Sequence, residues 1–438
     1  MSKSKRKTGR YHQGKVDREK RKTEFLKKFK EMMNSLAGES IYSCLSRKDI
    51  DIMYKYRCHP FRVVPAEGYC ITGEILNDCQ RFLVIWMQNQ FFTIQPNDVR
   101  ISLYDFYSVA GTIWASQIYL GKDDRAEVVK LKNSLKEFVD HMTEFNDKAN
   151  EILTGFLRTY CFMKSDIRKT LYWVNYKLEM DKNKCRGPEN ILYLYSRSVE
   201  NIKMKIDGIV RPVKPVCWAL YNTPPSPMSI EKFFFTLRKE DTGKQINVYI
   251  QSHAVNRLSE RIDCINTGLL QYYMYSSIKN PKIFYFCNNL LIEFQMFNSK
   301  AGYFRADLFD DKIIIRTFLF ITNNGTPECY KLQKNTGLKK LDIKYLEIER
   351  LSTFMSSDVG NNEEVRRILE ESDCGCLVEL YEKVKDICTK QPEYSISDVL
   401  IDYIKYHNPE IGLKDENRKP EVSADAVPEE LSEVSFAE

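Results

Sequence analysis

Apolar positions along the chain change their spacing part-way, and the change predicts where helices give way to strands. Phe25, Leu26, Phe29, Met32, Met33 and Leu36 recur at three- and four-residue intervals, which predicts an amphipathic, strongly basic helix over residues 20–36. Residues 40–102 are mixed: Pro60, Pro65, Gly68 and Gly73 punctuate an irregular or short-stranded stretch, residues 75–92 form a buried apolar run, and QPND at 95–98 reads as a turn and helix start. The longest helical pattern covers residues 123–163, where Val128, Leu131, Leu135, Phe138, Met142, Phe145, Ala149, Leu153 and Leu157 keep one face. Two further helices are expected at 165–180 and 188–206, the second with Pro188 in its first turn.

NTPPSPMS at 222–229 carries three prolines, which cannot continue a helix and favour an extended linker. Beyond it the period becomes two. Residues 231–239 and 245–252 read as a hairpin around Asp241–Lys244, followed by helices at 252–261 and near 267–279 and by strands at 282–288, 290–297, 302–309 and 312–322. Thr326 reads as an N-cap with Pro327 at the first helical position. Helical character returns at 328–335, 341–354, 362–371, 376–390 and 396–407. The predicted fold class is α+β: a mainly helical N-terminal region, an antiparallel sheet with packed helices, then C-terminal helices. The expected division is a basic arm and helix start at 1–30, a helical domain at 31–221, the linker at 222–229, the sheet domain at 230–356, helices at 357–407 and an acidic tail at 408–438. Residues 1–22 and the tail are expected to be disordered.

Charge sharpens this division. Residues 1–30 hold 13 lysines and arginines against three acids, whereas residues 408–438 hold three against nine, within a net charge of +6. The basic character therefore belongs to an arm, in which Lys5, Arg6, Lys7 and Arg10 are candidate contacts for a nucleic acid or an acidic protein partner. The 13 cysteines form no Cys-x-x-Cys, and Cys374, Cys376 and His407 lack a fourth local ligand, so reduced thiols without metal or cofactor are expected. The longest apolar runs are far shorter than a bilayer requires, and no signal peptide is visible. The expectation is a soluble cytoplasmic protein.

The stretch with most chemistry is SHAVNRLSER, residues 252–261. Ser252 is a suitable N-cap. At helical spacing Arg257, Glu260 and Arg261 fall within about 80° of His253, while Ala254, Leu258, Ile262 and Ile265 form an opposite apolar stripe. A neutral imidazole can take a proton, and arginines can hold a phosphodiester. Charged residues also interrupt the later strands, namely Glu293, Arg305, Asp307 and Arg316. The competing reading is an ordinary capped surface helix whose charges pair at i,i+3 and i,i+4.

A hairpin, a helix written S-H-A-x-x-R-x-x-E-R and a following antiparallel sheet resemble the small nuclease-like modules related to the RelE and BrnT toxins, over residues 231–336. The run RTFLFITNNGTPECYKLQKNTG is also similar to segments of uncharacterised bacterial proteins. The toxin resemblance implies metal-independent RNA cleavage, with His253 as acid–base candidate and Arg257, Arg261, Arg305 and Arg316 as phosphate or transition-state contacts; with Glu260 as the other possible proton acceptor, the expected catalytic groups are His253, Arg257, Glu260 and Arg316 and the expected nucleic-acid contacts Arg261 and Arg305. The alternative is a non-catalytic scaffold that binds nucleic acid or protein through the basic arm.

Overall fold

The computed structural model describes residues 3–121, 123–180, 187–309, 311–355, 362–387 and 396–407. The chain forms two compact units: Met1–Arg158, Trp173–Ser196 and Tyr221–Thr223 make the first, and Thr159–Tyr172, Arg197–Leu220 and Pro224–Glu438 the second.

In the first unit the basic amphipathic pattern becomes helix α1 (Lys3–Ala37), which buries Phe29, Met33 and Leu36. Lys5, Arg6, Lys7 and Arg10 stand on its first turns, and their side chains fall outside the described residues. Helix α2 (Arg47–Lys55) is closed by a reciprocal cap, Asp49 N–H donating to Ser46 Oγ and Ser46 N–H to the Asp49 carboxylate. Strand β1 (His59–Pro65), helix α3 (Gly73–Asn89) and the hairpin of β2 (Phe91–Ile94) and β3 (Val99–Ser102) follow. QPND is the turn of that hairpin and starts no helix. The short α4 (Leu103–Asp105) leads through a π-helical turn at Phe106–Ala110 into α5 (Gly111–Leu120). The long helical pattern becomes α6 (Ala126–Asp140) and α7 (Met142–Lys164). His141 sits at their junction, its Nδ1 2.9 Å from the Glu137 carbonyl and its ring stacked on Phe145, which makes it a structural residue.

The expectation of helices at 165–180 and 188–206 is corrected. These residues form strands β4 (Thr170–Glu179) and β5 (Glu189–Ser198), with β1 running parallel to β5 in the order β1-β5-β4. They are rich in aromatic and branched residues, and Ile191, Leu192, Leu194 and Trp173 are buried. Pro188 starts no helix; its carbonyl accepts the His59 N–H at 2.9 Å, at the mouth of the β1–β5 ladder.

The second unit is built on a sheet of eight strands. Strands β6 (Ile202–Ile206) and β7 (Ile209–Pro215) join through Asp207 and Gly208, both at positive φ, as two-residue hairpin turns require. Strand β8 (Cys217–Leu220) pairs with β9 (Thr223–Pro227), so the proline-rich segment is extended as expected but forms a strand. The expected hairpin strand at 231–239 is present only as β10 (Ser229–Glu231), paired with β11 (Gln245–Ile250). Phe233–Thr236 makes the one-turn helix α8 instead, which turns Phe235 into the core. Helices α9 (Ser252–Arg261) and α10 (Thr267–Lys279) precede β12 (Ile283–Phe286), β13 (Asn289–Met296), β14 (Ser299–Phe309) and β15 (Lys312–Phe320).

The strand order is β12-β13-β14-β15-β11-β7-β6, with β10 also on β11. The sheet is not the purely antiparallel one that the sequence predicts. β11 and β15 are parallel, so the sheet is mixed, because two helices and three strands intervene before β15 returns beside β11. The β14–β15 register moves from Arg305 opposite Thr317 to Ala306 opposite Ile315, leaving Arg316 as a bulged residue. The bulge keeps Ile313, Ile315, Phe318 and Phe320 in one core although their spacing is uneven. Ile314 faces the other way, against Ile206 and Val213.

Beyond the sheet lie α11 (Pro327–Thr336), α12 (Lys340–Tyr345), a 3-10 turn at Leu351–Met355, α13 (Glu363–Glu371), α14 (Cys376–Val384) and α15 (Ile396–His407). The single helix expected at 341–354 is therefore split. The acidic tail at 408–438 lies outside the described residues. Among those residues no helix is long and apolar enough to cross a membrane.

Candidate nucleic-acid interface

The sequence places α9 where β11 stops. Ile250 pairs with Ile315, the Gln251 N–H donates to the Ile315 carbonyl at 3.0 Å, and α9 then runs along the part of β15 that β11 leaves unpaired. Gln251, not Ser252, occupies the cap position, and no side chain caps the helix. Ala254, Val255, Leu258 and Ile262 are buried, while His253 and Glu260 are exposed and Arg257 and Arg261 half-buried. The two stripes separate as the 3.6-residue period requires.

Three of the expected residues converge. His253, Arg257 and Arg261 line one pocket with a cavity volume of about 540 Å³, whose remaining wall includes Thr317 and Leu319 of β15, Asn323, Asn324, Lys340, Lys344 and Glu349. Arg257 donates to Glu260 at 2.7 Å. Arg261 pairs with Glu349, which also accepts from Asn323 Nδ2 at 3.1 Å. Asn323 in turn accepts the Phe320 N–H at 2.7 Å, so the end of β15 is tied to α9 through one carboxylate. The end of α9 is anchored further by Asp263, which accepts from Ser352 N–H and Oγ.

The opposite wall is set by local caps. Thr326 accepts the Cys329 N–H at 3.1 Å and donates to the Ile321 carbonyl at 2.6 Å, holding the 321–326 turn against α11. α11 ends at Gly337 with φ 72°, a left-handed residue that turns the chain into α12. Ile343 is buried and fixes α12, and Lys340 and Lys344, four residues apart, reach the pocket. Neither lysine has a carboxylate partner among the described residues, and His253 has no hydrogen-bond partner among them. Beside the lysines, Leu341 and Tyr345 are each 77% exposed.

The other sequence candidates lie elsewhere. Arg316 donates to Asp307 at 2.6 Å and to Asp207 at 2.8 Å, and is not among the pocket's lining residues. Burial opposes its charge, but the two aspartates outweigh burial and hold the guanidinium more basic than usual; Arg316 in turn depresses the Asp207 carboxyl. Arg305 is exposed on β14, opposite Thr317, and its charge also acts on Asp207. Glu293 is buried beside Lys282 at 3.6 Å and accepts from Gln295. The pocket thus joins the α9 stripe to a second stripe, Lys340 and Lys344, that sequence reasoning missed. The repeated lysines of KKLDIKY and the Asn323–Asn324 turn were its visible signal, but nothing local brings them to α9.

No family model, curated protein or solved structure matches this chain.

Proposed function

We propose that the second unit binds the phosphate backbone of single-stranded nucleic acid and does not cleave it. The observation that carries this reading is the convergence of His253, Arg257, Arg261, Lys340 and Lys344 on one open pocket, in which Arg257 is paired with Glu260 and Arg261 with Glu349 while the two lysines have no carboxylate partner among the described residues. Lysines without a carboxylate partner among the described residues suit phosphates, and Tyr345 and Leu341 beside them offer a surface for unstacked bases. Cleavage requires one group to take a proton and another to return one. His253 is such a group, but Glu260 is held by Arg257, and Arg316, which would stabilise developing charge, is engaged by its two aspartates outside the pocket.

Fluorescence anisotropy with a labelled 12-nucleotide RNA tests this. Lys340→Glu with Lys344→Glu is expected to weaken binding at least about tenfold, equivalent to about 1.4 kcal/mol, while the RNA stays intact on a denaturing gel. Unchanged affinity refutes the assignment of the pocket. Cleavage that disappears in His253→Ala refutes the non-catalytic reading and favours the toxin-like one.

A further inference from the structure

The first unit contains a second site of different character. A cavity of about 460 Å³ opens between α1, the end of α2, the start of β1 and the turn that begins α5's helical run. That volume lies within the range of small-molecule sites, roughly 300–1,000 Å³. At its wall is Arg57, half-buried, with its guanidinium 4.0 Å from the Tyr54 ring centroid and 5.9 Å from that of Phe25. Its one hydrogen bond among the described residues runs from Nη1 to the Tyr54 carbonyl at 2.6 Å, and no carboxylate there pairs with it.

A guanidinium withdrawn from water without a counter-ion is costly, and burial pulls the Arg57 pKa below its usual value. The backbone that presents it is pinned. A Cβ at Gly187 would lie 2.0 Å from the Arg57 carbonyl and 2.3 Å from that of Tyr56, and the Cys58 N–H donates to Thr112 Oγ1 at 3.0 Å. Arg57 is thus held at the cavity wall by the Tyr54 and Phe25 rings and the Tyr54 carbonyl.

The other lining groups complete a pattern. Arg21 adds a second guanidinium, this one exposed, without an ion-pair partner among the described residues. Lys28 and Asp105 neutralise one another at 2.7 Å. Tyr104 presents a half-buried hydroxyl without a hydrogen-bond partner among the described residues, and Gln88 an exposed amide with both donor and acceptor. Glu24, the remaining acid, stands exposed at the rim. One wall is a π-helical turn carrying Ser108 and Val109, a distortion that recurs at functional sites.

We infer that this cavity binds a nucleoside monophosphate: Arg57 and Arg21 hold the phosphate, Glu24 accepts a sugar hydroxyl, and the base lies toward Tyr104 and Gln88. The site is independent of the α9–α12 pocket, and neither reading depends on the other.

Isothermal titration of the full chain with each of the four common ribonucleoside 5′-monophosphates, with inorganic phosphate and with adenosine decides it. At least one nucleotide is expected to bind about tenfold or more tightly than inorganic phosphate, with adenosine silent or weaker still. Arg57→Gln is expected to lower that affinity about tenfold and Arg21→Gln about threefold. Should Arg57→Gln lose its native circular dichroism, Arg21→Gln at the exposed rim carries the test alone. The inference fails if no nucleotide binds, if inorganic phosphate binds as tightly as every nucleotide, or if a folded Arg57→Gln or Arg21→Gln binds like the wild type.

Discussion

Replacing Glu328 by Ala is expected to lower the stability of the protein by about 3 kcal/mol, the lower end of the range for breaking a buried ion pair, since Lys300 keeps some contact with solvent. Glu328 is 2% exposed at the first turn of α11, where the helix dipole favours a carboxylate. It receives Lys300 Nζ at 2.5 Å and the Tyr303 hydroxyl at 2.7 Å. Burial opposes the charge on Lys300, and Glu328 outweighs it, so the ammonium is more basic than usual. Burial raises the Tyr303 pKa, and the Glu328 charge beside it adds to the rise. The surrounding thiols follow the same logic: burial pushes Cys329 and Cys376 up to about 12, which disfavours their thiolate forms.

Removing Glu328 strands a partly buried ammonium and a phenol together. It also loosens the start of α11, to which the 321–326 turn with Asn323 and Asn324 is attached. Urea denaturation at 25 °C measures the loss, and a value under about 1 kcal/mol contradicts the account. A second arm separates charge from shape. Glu328→Leu combined with Lys300→Met removes both charges and is expected to recover most of the loss, because a well-packed apolar pair can match a buried ion pair.

Phe304→Ala carries the other large effect, a loss of about 4 kcal/mol from the transfer of a phenyl ring and the cavity it leaves. Phe304, Phe294 and Phe318 come from three adjacent strands and are buried. Their centroids lie 5.3–5.5 Å apart in edge-to-face arrangements. Phe318 itself lines the α9–α12 pocket, and Phe294 and Phe304 pack against it in the core. Because Phe304 does not itself line that pocket, the folded variant should keep RNA affinity within about twofold while its denaturation midpoint falls. A midpoint at the wild-type value contradicts the packing described here.

These two positions show what the sequence could reveal. The switch from helical to strand periodicity near residue 230 is legible, and so is α9, whose apolar and polar stripes follow from local spacing alone. The strands β4 and β5 are not. TLYWVNYKLE and ENILYLYSRS are rich in residues that suit a strand or a buried helix equally, and only their neighbours in the β1-β5-β4 sheet decide. The direction of β15 relative to β11 depends on how an intervening half-sheet folds back. The bulge at Arg316 shifts the core positions from Ile313 and Ile315 to Phe318 and Phe320, which no period-two reading of KIIIRTFLF contains.

The site is legible to the same degree. His253, Arg257 and Arg261 lie on one helix, so the helical period alone groups them. Arg316 reads as an unmatched charge in an apolar strand, yet one of its partners, Asp207, comes from a hairpin turn 109 positions earlier. Lys340 and Lys344 carry the opposite error, ordinary surface lysines until the cap at Thr326 and the left-handed Gly337 bring them to α9. Long-range pairing decides which charges are spent internally and which remain for a ligand.

The salt dependence of RNA binding tests the central claim most directly, because it counts phosphate contacts and is insensitive to small losses of fold. The slope of log Kobs against log salt is to be measured for the wild type and for Lys340→Ala with Lys344→Ala, both at a temperature where circular dichroism shows them native. If these lysines contact phosphates of a single strand, the magnitude of the slope falls by about 1.4, or about 0.7 per lost contact. Equal slopes in the two proteins would contradict the placement of nucleic acid at the α9–α12 pocket.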